Sequence, residues 1–164
     1  MDLKIKKVEI EEKHILFNLM QFALYDSTFY IDNKMNKEGV FEYKWLDNYF
    51  TDEDRAAYLI QDECDNILGM AMVNGYLKVP HNCKAQSIAE FLVLPKYRKQ
   101  HIGKKVAHAV FNMYDGEWEV QPMENNQGAY MFWEKTIVDY SNNNYIKHKL
   151  EDGEDIFVFS SNKT

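Results

Sequence analysis

The pattern of apolar and polar positions changes period once, sharply, within residues 88–113. Ile88 to Leu94 is almost unbroken apolar sequence with one carboxylate, Glu90, inside it. A run of that length predicts a buried strand. Pro95 ends it, because proline has no amide to continue a ladder. From Ile102 the apolar residues fall at Ile102, Val106, Ala109, Val110 and Met113, the spacing of a helix face. A short basic turn lies between the two.

The same reading extends to both flanks. A weak period of two over 3–10 predicts an edge-like strand. Residues 12–25 read as a helix, with Ile15, Leu19, Phe22 and Ala23 on one face and Leu16 and Met20 beside it. Residues 26–41 hold no strong period, and a helix is expected over 42–49. Ala56–Gln61 and Ile67–Val73 are strands joined by a polar turn of hairpin length. Gly69 inside the second marks close packing or a bulge. Residues 74–86 connect to the 88–94 strand, and Trp118–Gln121 is a short strand ended by Pro122. Asn125 and Asn126 offer a strong N-cap to a helix with Ala129, Phe132, Trp133, Thr136, Ile137 and Tyr140 along one face. Tyr145–Leu150 and Ile156–Ser160 flank a Glu-Asp-Gly-Glu turn and read as a hairpin.

Composition narrows the classes. At 164 residues one domain, 1–164, is the default, and 46 % apolar content argues against disorder. The N-terminus mixes charge with apolar residues and lacks the apolar core of a signal peptide. No apolar run approaches the roughly 20 residues that span a bilayer. Cys64 and Cys83 fit neither a zinc-ligand spacing nor a disulfide framework, so no metal is expected and a reducing cytoplasm fits. The net charge of −7 makes a poor nucleic-acid binder. Residues 81–116 nevertheless carry six Lys/Arg against two acids, a basic island around the turn.

Arg98, Lys99, Gln100 and His101 lead that turn into Ile102, Gly103 and Lys104. A strand that feeds a helix this way leaves helix-start amides unpaired, and the helix dipole favours an anion there. The residues alone admit two readings: a phosphate or pyrophosphate site, or a solvated turn whose charges keep the protein soluble. Glu90 likewise admits two. A buried carboxylate has a raised pKa and suits a general base near neutrality, and a carboxylate paired with a cation is only structural.

The run from Arg98 to Lys104 resembles the Arg/Gln-x-x-Gly-x-Gly/Ala signature of the GCN5-related N-acetyltransferases (GNAT). Phe91-Leu92-Val93-Leu94-Pro95 matches the strand that precedes it in that family. Asn126-x-x-Ala129-x-x-Phe132-Trp133 resembles the family's second motif, Asn-x-x-Ala-x-x-Phe-Tyr. The order of elements, β-α-α-β-β-β-α-β-α-β-β, also follows the family. The resemblance implies an α/β (α+β) fold with a mixed central sheet of about six to seven strands and about four helices. It implies acetyl-CoA as cosubstrate, its pyrophosphate on the amides of Arg98, Lys99, Gln100, His101, Ile102, Gly103 and Lys104. The pantetheine arm would lie along Phe91, Leu92 and Val93, with Asn126 and Phe132 also at the cofactor. An amide near Val93 would polarise the thioester carbonyl.

Two departures stand out. His101 replaces the first Gly, which costs roughly 1 kcal/mol if the position needs a positive φ. Trp133 replaces the Tyr that often serves as general acid, and indole cannot take that role. The implied activity is acetyl transfer to a primary amine, small or peptidyl, with Glu90 as catalytic base and the protein a monomer or homodimer. His101 and Trp133 favour the alternative, a non-catalytic acyl-CoA-binding sensor or regulatory module. In the family the loop after the first helix covers the acceptor. Here 26–42 carries Asp26, Asp32, Glu38 and Glu42 with Phe29, Tyr30 and Phe41, which is either a solvated acidic loop or a site for a cationic acceptor.

Overall fold

In a computed structural model, which describes residues 2–161, seven strands and four helices alternate along the chain. They are β1 (Lys4–Lys7), α1 (Lys13–Ser27), α2 (Asn48–Thr51), β2 (Ala56–Gln61), β3 (Ile67–Asn74), β4 (Ala85–Val93), α3 (Ile102–Phe111), β5 (Glu117–Val120), α4 (Gln127–Ser141), β6 (Tyr145–Lys149) and β7 (Asp155–Ser160). The strands form one mixed sheet in the order β1-β2-β3-β4-β5-β7-β6. The expected fold class and element order are those observed. The chain packs as two compact units, Met1–Val73 with Ala89–Lys99, and Asn74–Ile88 with Gln100–Thr164.

In the first unit β1 pairs antiparallel with β2, and β2 with β3. Helix α1 buries Leu16, Leu19 and Met20 against Leu59, Met70, Met72 and Leu92 of the strands. Gly69 shows both features expected of it. The β2–β3 register slips between Ile60 and Gln61, and a Cβ on Gly69 would lie 1.9 Å from the Leu92 carbonyl oxygen. Any larger residue there would push β3 off β4.

The second unit is built on aromatic packing. Phe111 of α3 meets Trp118, Tyr140 and Phe159 at ring-centroid distances of 5.1, 5.0 and 4.8 Å. The Trp118 indole N–H donates to the Phe111 carbonyl, which settles its one polar group. β4 runs parallel to β5 over Ala85–Ser87, and β7 pairs antiparallel with both β5 and β6.

Several boundaries differ from expectation for local reasons. The 3–10 strand stops at Lys7, because the Glu9 amide donates to the Glu12 carboxylate and Ile10–Glu12 turns as a 3₁₀ helix. The face of α1 is rotated: Leu16, Leu19 and Met20 are buried and Phe22 is 56 % exposed. The helix expected over 42–49 is the single turn α2, preceded by turns at 44–47. Leu46 and Tyr49 still reach the core, so burial rather than a helical repeat sets the spacing there. β4 begins at Ala85, three residues earlier than read, where the Glu117 amide bonds the Lys84 carbonyl. α3 ends before Met113 and buries Ala107 and Phe111, leaving Ala109 half-buried. Among the described residues no helix is long and apolar enough to cross a membrane.

Candidate active site

The basic turn starts from the end of β4. Pro95–Tyr97 forms a 3₁₀ turn, and the Leu94 amide donates to the Leu68 carbonyl at 2.8 Å. Arg98 then fixes the strand end from its side chain. Its Nε donates to the Val93 carbonyl at 2.7 Å and its Nη2 to Asp26 Oδ2 at 2.8 Å. Asp26 therefore belongs to α1 and to Arg98, not to an acceptor loop. Arg98 shapes the turn, with its charge partly matched before any ligand arrives.

Lys99 and His101 both adopt left-handed backbone, at φ 61° and 60°. The strain expected at His101 is therefore real. His101 is the N-cap of α3, and no side chain caps that helix. Its first-turn amides, with Ile102 and Gly103 in the helix, keep the dipole's positive end for an anion. Lys99, Gln100 and His101 are exposed and Ile102 is buried. Lys104 pairs with Asp139 of α4. The turn thus fits a pyrophosphate through amides and left-handed backbone more than through unmatched cations.

On β4, Glu90 is half-buried by accessibility, and its carboxyl is pushed up to about 7 by loss of water. The Tyr43 hydroxyl hydrogen-bonds to it and pulls the other way, favouring the carboxylate. Tyr43 in turn is driven above the usual phenol range, first by burial and then by the Glu90 charge. Beside Glu90, Leu92 is buried in the core of the first unit, while Phe91 and Val93 are half-buried. Tyr43 was not singled out in the sequence. Its spacing with Leu46 and Tyr49 hints that it points inward, but nothing local ties it to a residue 47 positions away.

On α4, Asn126 Oδ1 accepts from the Ala129 amide at 2.9 Å, so this side chain caps its helix. Phe132 is half-buried against Trp133, with centroids 4.9 Å apart. Trp133 is 7 % exposed and also packs on Phe111. It is a core residue at the place where the family has its acid. The two other tyrosines of α4 are engaged elsewhere, Tyr130 with Asp155 and Tyr140 with Asn112.

The acidic segment 26–42 is corrected in part. Phe41 is 3 % exposed, and Gln21 clamps its backbone by donating to its carbonyl and accepting from its amide. It lines nothing open. Asp32 pairs with Lys34 at 3.2 Å, and Glu42 accepts from Asn36. Phe29 and Tyr30 stay exposed, and so does Glu38.

Comparison with known proteins agrees with the fold. A crystal structure of an acetyltransferase from Thermus thermophilus has a TM-score of 0.72 at 13 % identity, covering 98 % of this chain and 97 % of its own. A GNAT-family acetyltransferase from Staphylococcus aureus has 0.61 at 15 %, covering 97 % and 99 %. A spermidine N-acetyltransferase from Vibrio cholerae, in complex with CoA and spermine, has 0.64 at 10 %, covering 98 % and 96 %. A search of curated proteins gives no match. At such identities the structural likeness speaks for the fold alone. The sequence itself is more specific: the family model described as "Acetyltransferase (GNAT) family" matches residues 20–137, which take in the second half of α1, Glu90, the left-handed turn and the Asn126 cap, and the chain belongs to that family.

Proposed function

We propose that the protein is an acetyl-CoA-dependent N-acetyltransferase acting on a primary amine, small or peptidyl, with cationic acceptors preferred. The observation that carries this reading is Glu90, a carboxyl lifted to about 7 on the strand that runs directly into the left-handed basic turn. An ammonium group cannot attack a thioester, so the acceptor must first lose a proton. A carboxyl that titrates near neutrality accepts it. The amine nitrogen then bonds to the acyl carbon, the carbon–sulfur bond breaks, and the proton that the nitrogen sheds passes through water to the departing sulfur, since Trp133 has no acidic hydrogen to give.

Acetyl-CoA supplies the acyl group as cosubstrate. The α3 amides and those of the turn after Arg98 would hold its pyrophosphate, the Arg98 amide itself being spent on the Pro95 carbonyl at 3.2 Å, and the backbone of Phe91, Leu92 and Val93 would carry the pantetheine arm. The family resemblance assigns Asn126, the cap of α4, and Phe132 to the cofactor as well. The structural neighbour crystallised with CoA and spermine supports a small polyamine-like acceptor. The reading places the protein in the cytoplasm, with no nucleic acid or membrane as partner.

A second reading, a non-catalytic acyl-CoA-binding module, is favoured by one observation, the burial of Trp133 where the acid would stand. One assay separates them. Thioester loss from acetyl-CoA is followed across a diamine, an aminoglycoside-like amine, a Lys-containing peptide and neutral and anionic amino acids, beside calorimetric binding of acetyl-CoA. The enzyme reading expects turnover with at least one amine, and Glu90→Gln that binds acetyl-CoA but turns over roughly 10²–10⁴ more slowly. Binding without turnover on any acceptor supports the module, and no binding overturns both.

A further inference from the structure

The connection between β3 and β4, residues 75–84, lies on β5 through one side-chain cluster in the second unit. His81 is at its centre, with 3 % of its side chain exposed. Its Nδ1 stands 2.6 Å from Glu117 Oε2 and its Nε2 stands 2.8 Å from Glu119 Oε1. Glu119 is fully buried, and it also accepts from the Lys78 amide at 2.9 Å and the Val79 amide at 2.9 Å. Both ring nitrogens therefore face carboxylate oxygens. A neutral imidazole carries one N–H and can donate to one of them only; the second contact then sets a lone pair against a carboxylate. With both glutamates ionised, holding both requires the imidazolium.

We propose that residues 75–84 form a proton-dependent latch: the His81 imidazolium, donating at once to Glu117 and Glu119, holds the segment on β5, and loss of its proton releases it. The other groups around the ring do not replace that charge. On the segment itself, the Lys78 ammonium is turned to Gln121 and Lys84 is exposed. The sheet partners of the two glutamates, Ala85 and Ser87 on β4 and Val158 and Ser160 on β7, are uncharged. Across β7 on β6, Ile146 pairs with Val158 and His148 with Ile156, and His148 is the one titratable group among these pairs. Burial depresses the His81 pKa, but the hydrogen bonds it makes to Glu119 and Glu117, with their charges, outweigh it and leave the value raised. The sign follows. The latch is whole below the ordinary imidazole value of 6.5 and is lost as pH rises through the folded-state value.

Nuclear magnetic resonance on the full chain tests this. The His81 ring is followed from pH 5 to 9, with hydrogen-exchange protection factors of the Lys78 and Val79 amides corrected for intrinsic exchange. The expected result is a His81 titration above the ordinary value and a loss of protection at both amides, by at least about ten-fold, over the same range. His81→Gln, which has one donor group and no titration, should show low protection at every pH. Glu117→Gln keeps the buried Glu119 and its amide bonds, and should move the transition to lower pH. It serves as the independent variant should His81→Gln not fold. Protection that does not change with pH, or a His81 ring that is neutral at pH 6, would overturn the latch.

Discussion

Burial lifts the Glu90 carboxyl from 4.5 to about 7, with opposite consequences for turnover and for stability. For stability, the neutral acid is the form that the site accepts. That contribution is whole below 4.5, where the unfolded carboxyl is also protonated, and it is lost as pH rises through about 7. Glu90→Gln should therefore match the parent at pH 4 and exceed it at pH 8, by on the order of 1–3 kcal/mol. For turnover the order reverses. In the proposed mechanism the ionised form is the base, so kcat/KM should fall as pH drops below about 7, and Glu90→Gln should lose roughly 10²–10⁴ in kcat and the acid limb with it. Tyr43 separates the two roles. Its hydroxyl favours the carboxylate, so Tyr43→Phe should move the acid limb to higher pH and leave its shape intact. Denaturation curves at both pH values and pH–rate profiles for the three proteins check this. A Glu90→Gln protein less stable at pH 8 would show that the carboxylate is structural.

At the scale of elements, α3 begins on a conformation that its residue resists. His101 at φ 60° carries about 1 kcal/mol of left-handed strain that glycine would not. His101→Gly should raise the melting temperature by a few degrees, less what glycine's freedom in the unfolded chain takes back. His101→Ala keeps the Cβ and should gain nothing. Equal melting temperatures for the two variants would mean that the helix start relaxes to suit its residue. This strain was half legible in the sequence. The Arg-x-x-x-Ile-Gly run marked where the helix begins, and His101 marked where a glycine was missing, but only the backbone gives the sign of φ. The strands read well because β2 and β3 announce themselves by composition and a polar turn. Helix α1 read less well. Both Leu16 and Phe22 are apolar, and which of them faces the sheet depends on partners from β2, β3 and β4 that no local window contains. The same holds for Asp26, which reads as loop acid until Arg98, a residue 72 positions on, is placed beside it. Trp133 was legible as a departure and as a core-facing residue; its ring neighbours were not.

At the scale of the whole molecule, charge bears on the acceptor. The chain carries −7, and residues 81–116 are its basic stretch, with six Lys/Arg against two acids. Residues 26–42 contribute less negative charge than their composition promises, since Asp26 is matched by Arg98 and Asp32 by Lys34. The proposed preference for cationic amines would therefore rest on the general negative field and on the exposed rings of Phe29 and Tyr30, not on a cage of four carboxylates. These two sources respond differently to salt. A long-range field is screened over about 8 Å at physiological ionic strength, while a ring face in contact with an ammonium group is screened far less. For a diamine acceptor KM should rise severalfold from low to high salt, kcat should hold, and a monoamine of the same length should show a smaller rise. Phe29→Ala should raise KM for both amines at every salt concentration, without changing the slope. An anionic amino acid should be the poorest acceptor at low salt and should improve as salt is added. Steady-state kinetics with the three acceptors at two ionic strengths decide it. A diamine KM indifferent to salt would remove the field from the argument and leave acceptor choice to direct contacts, with Phe29→Ala then measuring how much of it one ring provides.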